Sequence, residues 1–106
     1  MPKITIRVPH QFTPSEAFAK IQPALEKTVI DFQGHDLQLT NSDTSSQFTF
    51  KSLAFTIKGQ AEARPDEVVV EVDLPFAAIM FKDKAERAIT KNVTRALGGE
   101  LPPKGS

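Results

Sequence analysis

Acid–base chemistry in this chain would come first from His10, His35 and the carboxylates, and the sequence contains no cysteine. That absence excludes thiolate nucleophiles, Cys–His pairs and disulfides. His10 follows Pro9 and His35 follows Gly34, both in loop-like contexts. Neither has the spacing of a helical His-Glu-x-x-His metal site, and no nucleophile elbow is present. The pair Gly98-Gly99 closes a helical stretch rather than opening one, so there is no phosphate-cradling loop. No cofactor or metal motif emerges. Two readings stand for His10. It tethers the connection between the first strand and first helix by hydrogen bonding, or it has a ligand or catalytic role. Glu62, Glu67, Glu71 and Asp73 alternate with apolar residues, the pattern of a solvated sheet face, with a metal site as the alternative.

Two other features point to binding rather than catalysis. "LPFAAIMF", residues 74–81, carries no charge. It lies between a strand-like run and a helix-like run. Phe76, Ile79 and Met80 are its candidate docking or dimer patch, and burial in the core or between copies is the competing account. The second feature follows it. On a helical wheel Lys84, Arg87, Lys91 and Arg95 fall within about a quarter turn, away from the apolar stripe. Such a face is either simply solvated or suited to anionic head groups or an acidic partner.

The rest of the chain has to position these residues. Its 106 residues, with 40% hydrophobic and 25% charged, have the size and composition of one globular domain, expected over residues 1–98 with a flexible tail at 99–106. The formal net charge is zero, which argues against general nucleic-acid binding. The zero conceals an asymmetry: residues 1–73 hold 7 Lys/Arg against 10 Asp/Glu, and residues 74–106 hold 6 against 3. No segment approaches the roughly 18 apolar residues of a membrane span. The opening residues have no signal-peptide core, so a cytoplasmic location is expected.

"KITIRV" alternates as a half-buried strand with Ile4, Ile6 and Val8 on one face. Thr13, Pro14 and Glu16 form a capping-box helix start. Phe18, Ile21, Leu25, Val29 and Phe32 continue it as one apolar stripe. Pro23 predicts a kink, or two short helices meeting at Gln22-Pro23. Gly34 is the expected C-cap. Leu37 and Leu39, then Phe48 and Phe50, mark two further strands. Phe55, Ile57, Ala61 and Ala63 mark a fourth, after a parity flip that places a turn or bulge at Lys51-Ser52-Leu53. Val68, Val70, Val72 and Leu74 share a face of the fifth. The last helix buries Ala78, Phe81, Ala85, Ile89, Val93 and Ala96. It starts near Phe76, or later with Asp83 as N-cap and "PFAAIM" as a crossover loop. The expected fold is α+β, a two-layer sandwich. Its antiparallel sheet has about five strands in the order β-α-β-β-β-β-α, with a kinked N-terminal helix and a long C-terminal helix on one face.

At this point the sequence resembles a family. Ile4, Ile6 and His10, then Glu16-Ala17, the valine run Val68 to Val72, Leu74-Pro75-Phe76 and Phe81-Lys82 stand in the order found in polyhydroxyalkanoic acid system proteins. The resemblance spans roughly residues 3–97. The departure is Asp83, where members often have Gly, at the start of the last helix. The resemblance implies an association with polyester storage granules. It implies no established activity and brings no catalytic residues.

Three functions follow as expectations. The first is a non-enzymatic binding or regulatory protein. It would dock on a granule or lipid-like surface through the apolar run beside the basic helix. The second is a small helix-grip-like, START-like carrier of a hydrophobic acyl ligand held between sheet and helix. The third, a polyester hydrolase, has no nucleophile context to support it. A homodimer through Phe76, Ile79 and Met80 is also expected, since two-fold pairs are the commonest oligomers.

Overall fold

The computed structural model describes residues 3–53 and 55–98. The expected tail at 99–106 lies outside the described residues. The elements run β1 (Lys3–Pro9), α1 (Pro14–Asp31), β2 (Gly34–Asn41), β3 (Ser45–Ser52), β4 (Phe55–Ala63), β5 (Glu67–Asp73), a 3-10 segment (Phe76–Phe81) and α2 (Lys82–Ala96). This is the α+β order read from the sequence.

β1 alternates exposed and buried along its whole length, with Ile4, Ile6 and Val8 inward. α1 begins as its capping box dictates. Thr13 Oγ1 accepts from the Glu16 N–H at 3.2 Å, and Glu16 Oε1 accepts from the Thr13 N–H at 3.2 Å. The Thr13 backbone bond, followed by the Thr13 hydroxyl, holds the Glu16 carboxyl below its ordinary pKa. A carboxylate there also opposes the helix dipole.

α1 runs on through Pro23 as one helix rather than two short ones. Proline removes one intrahelical donor. Ile21, Ala24 and Leu25 are buried on either side of it and hold the segment against the core.

The end of α1 differs from expectation. Phe32 is the C-cap, and Gln33 takes the left-handed conformation with φ 56°. Gly34 opens β2 instead. Its small size serves a close approach, since a Cβ there would lie 2.6 Å from Val29 Cγ1 and 2.8 Å from Phe50 Cδ2.

The sheet order is β1-β5-β4-β3-β2, every pair antiparallel. β2 to β5 form a meander, and β1 adds to its far edge along β5. The parity flip after Phe50 is a tight hairpin turn. Ser52 pairs with Phe55, and Leu53 stands in the turn with φ 55°. β2 carries a register shift between His35 and Gln38, with Asp36 at φ 55°.

Both helices cover one face. The core there joins Ile4 and Ile6 of β1 with Phe48 and Phe50 of β3, Val70 of β5, Ile21 and Leu25 of α1, and Ile89 and Val93 of α2. Burying each aliphatic side chain contributes about 1.5–3 kcal/mol. The other face is a ladder of charges: Arg7–Glu67 at 2.8 Å, Arg64–Glu62 at 2.6 Å and Lys3–Glu71 at 3.2 Å. Val69 is buried in the middle of that face, in register with Arg7 on one side and Glu62 on the other.

α2 starts between the two positions read from the sequence. Phe76–Phe81 is a 3-10 turn, and the α-helix begins at Lys82 with Phe81 as N-cap and no side-chain cap. Asp83 is therefore in the first turn rather than at the cap. The run contains neither Ser, Thr, Asp nor Asn to cap a helix at Phe76, so the tighter turn fills the gap.

A candidate apolar binding cavity

α1 and α2 do not close completely on the sheet. Between them lies a cavity of about 310 Å³. Its floor is Phe48 and Phe50 of β3, Ile57 of β4, and Val70 and Val72 of β5. Leu25 and Val29 of α1 form one wall, and Ala78, Ala85 and Ile89 of the last helical stretch form the other.

The space follows from side-chain sizes. Ala78 and Ala85 present only methyl groups from their side. On the sheet, Gly59 pairs directly with Phe48, and a Cβ on Gly59 would lie 2.6 Å from Phe48 Cε2. The glycine lets the Phe48 ring lie close over β4 instead of standing out into the gap. Phe55 and Phe81 meet edge to face at 6.4 Å between centroids and join the start of β4 to the end of the 3-10 segment.

The polar groups on the wall divide in two. Thr28 Oγ1 donates to the Ala24 carbonyl at 2.8 Å and accepts from Asn92 Nδ2 at 2.9 Å. Ser52 Oγ donates to the Phe32 carbonyl at 2.5 Å. Both hydroxyls are thus engaged within the protein. Asp31, Gln33, Leu53 and Lys84 line the cavity and are also exposed, so they form its rim. Asp31 accepts from Asn92 at 3.2 Å and pairs with Lys27 at 3.3 Å. The Asn92 hydrogen bond, ahead of the Lys27 contacts, holds the Asp31 carboxyl below its ordinary pKa.

The residues singled out from sequence occupy three separate places. Phe76, Ile79 and Met80 are 71%, 50% and 78% exposed. They stand on the outside of the segment whose Ala78 and Phe81 line the cavity. Lys84, Arg87, Lys91 and Arg95 are all exposed along α2, and of these Lys84 also reaches the cavity rim.

His10 is buried beneath the β1–α1 connection. Its Nδ1 accepts from the Phe12 N–H at 3.0 Å, which leaves Nε2 as the donor to the Arg64 carbonyl at 2.7 Å. Both ring nitrogens are occupied by backbone groups, and His10 does not line the cavity. Phe12 stacks on the His10 ring at 6.2 Å, and Lys20 lies over Phe12 at 4.7 Å. Among the described residues no cluster of three His, Asp or Glu could hold a metal ion, and no helix is long and apolar enough to cross a membrane.

The cavity as a site, and the Asn92–Thr28–Asp31 bridge that spans the helices beside it, were not visible as residues in the sequence. The available signal was the coincidence of small residues, Gly59 on the sheet with Ala78 and Ala85 on the covering stretch. Alternation alone reads the same whether a gap is filled or empty.

Residues 4–97 match the model of the family described as "Putative polyhydroxyalkanoic acid system protein". No curated protein matches the sequence. Among solved structures, the chain is similar to the di-domain ARO/CYC protein BexL from the BE-7585A biosynthetic pathway, at 11% identity and TM-score 0.51. That match covers 94% of this chain and 51% of the other, so the chain spans about half of BexL. Ara h 8.0201 aligns over 92% of this chain and 99% of its own at 9% identity and TM-score 0.45. A protein from Thermus thermophilus, TTHA0849, aligns over 92% and 93% at 9% identity and TM-score 0.36. At these identities the likeness to BexL concerns the fold, a helix-grip-like arrangement of sheet and helices.

Proposed function

The chain belongs to the family of polyhydroxyalkanoic acid system proteins, and we propose that within it the chain is a non-enzymatic binding protein holding a hydrophobic, acyl-type ligand between sheet and helices. The observation that supports this reading is the cavity of about 310 Å³. Binding pockets for small molecules run from about 300 to 1,000 Å³ and are mostly apolar with a few polar groups at the opening. A space of this size, open at one end, suits a medium-length aliphatic chain. A cytoplasmic location is part of the reading.

The exposure of Phe76, Ile79 and Met80 favours a second role, docking on a polyester granule or lipid-like surface. The four cations of α2 follow along the next helix, all exposed, and suit an anionic coat. The two roles are compatible, because the patch and the cavity share the 3-10 segment. A second copy of the chain is the other occupant of that patch.

Native mass spectrometry of freshly purified protein, followed by titration with an uncharged solvatochromic dye, tests the carrier reading. A co-purified lipid mass, or saturable binding of one dye per chain that decanol displaces, supports it. Ligand-free protein with no saturable dye binding overturns it.

A further inference from the structure

We propose that the ligand is a monoanionic amphiphile, a medium-chain carboxylate whose head group is held by Lys84 at the cavity rim and whose chain lies over Phe48, Phe50 and Val70. This rests on the reading of the cavity as a ligand site.

Among the described residues the cavity interior offers no free side-chain hydrogen-bond donor for an anionic head. Thr28 and Ser52 donate their hydroxyl hydrogens to the Ala24 and Phe32 carbonyls. A polar group pushed inward would lose its water without a replacement bond, at a cost that a hydrocarbon tail does not meet. The tail therefore goes in and the head stays at the rim.

At the rim the two charges have different standing. Asp31 is engaged by Asn92 Nδ2 at 3.2 Å and by Lys27 at 3.3 Å, and it donates nothing. Lys84 forms no ion pair among the described residues, while lining the same opening. Gln33 also lines the rim, with an amide that makes no hydrogen bond among the described residues.

One unpaired ammonium and one free amide match the two oxygens of a carboxylate. A dianionic phosphate would meet one unpaired cation in the cavity lining, Lys84, since Lys27 is engaged by Asp31. The rim thus favours an anionic head of single charge. The cavity volume of about 310 Å³ suits a tail of medium length.

Decanoate and decanol share a tail and differ in the head, so competitive dye displacement at pH 7.5 separates the two contributions. Wild-type protein is expected to bind decanoate about tenfold more tightly than decanol, the effect of one charge-assisted hydrogen bond at a partly exposed site. Lys84→Gln removes that preference, weakening decanoate by about tenfold more than decanol. Lys91→Gln, on the same helix face but off the cavity, keeps it. Equal affinity for the two ligands in wild type, or a preference that survives Lys84→Gln, overturns the head-group assignment and leaves the carrier reading standing. Failure of both ligands to bind overturns the carrier reading and this assignment together. Lys84 is exposed, so the variant folds, and circular dichroism verifies it.

Discussion

The side-chain amide of Asn92 donates to Thr28 Oγ1 at 2.9 Å and so ties α2 to α1 beside the cavity. Asn92 is buried, and its other bond reaches Asp31 Oδ2 at 3.2 Å. The two helices are thus joined by a buried polar strut at that level.

Asn92→Ala should destabilise the protein by about 1–3 kcal/mol, the range for breaking a buried hydrogen-bonded group. Urea denaturation measures it. Asn92→Leu is a sharper comparison, because it replaces the strut by a group that fills space. It should lower dye affinity more than Asn92→Ala does.

The same bond has a pH signature. Asn92 is the largest cause lowering the Asp31 pKa in the folded state. A carboxyl depressed on folding contributes stability above its unfolded pKa and loses it as pH falls through the folded value. The stability difference between wild type and Asn92→Ala should therefore be larger at pH 7 than below the ordinary carboxylate range. Asp31 is 38% exposed, so solvent screening keeps this component small. A difference that grows on acidification would contradict the assignment.

Gly59→Ala should push the Phe48 ring off β4 and into the cavity. The backbone there is not in the left-handed region, so the effect is steric. The expected result is a loss of about 1–3 kcal/mol in stability from overpacking, with dye affinity reduced. Unchanged affinity in folded Gly59→Ala would place the ligand elsewhere.

His10→Ala removes one acceptor and one donor from partly buried backbone groups. Stability should fall by about 1–3 kcal/mol while dye binding per folded chain stays constant. An affinity change without a stability change would instead assign His10 to ligand binding.

Phe76→Asp together with Met80→Asp should leave stability within about 0.5 kcal/mol, since both side chains are largely exposed. The pair should abolish co-sedimentation with polyester particles or anionic vesicles. Light scattering on wild type and on Met80→Glu separates a second copy as occupant: a mass near twice the 11.7 kDa chain that falls in the variant assigns the patch to a homodimer.

Much of the fold is legible in the sequence because it is written in local chemistry. The Thr13–Glu16 capping box, the alternation of β1 and the valine stripe of β5 each need only neighbouring residues. The start of α2 is less legible, because no residue near Phe76 marks a cap and a 3-10 turn has no sequence signature of its own. Gly34 reads as a helix C-cap, whereas its role depends on Val29 and Phe50, which approach it only in the fold. Nothing in the sequence marks Asn92 and Thr28; their burial follows from how the helices meet each other. The apolar patch is legible as composition, and its exposure requires the structure.

The placement of β1 also sets the order in which the molecule can assemble. β2 to β5 join by consecutive hairpins, each closing a short loop. β1 pairs only with β5, and contacts such as Arg7–Glu67 span 60 residues of chain. Loop-closure entropy makes such pairing late relative to the hairpins. During synthesis the first strand and first helix therefore emerge long before the surface that receives them exists. The apolar faces of Ile4, Ile6 and Val8 must wait, exposed to chaperones and to aggregation, until residue 73 has left the ribosome.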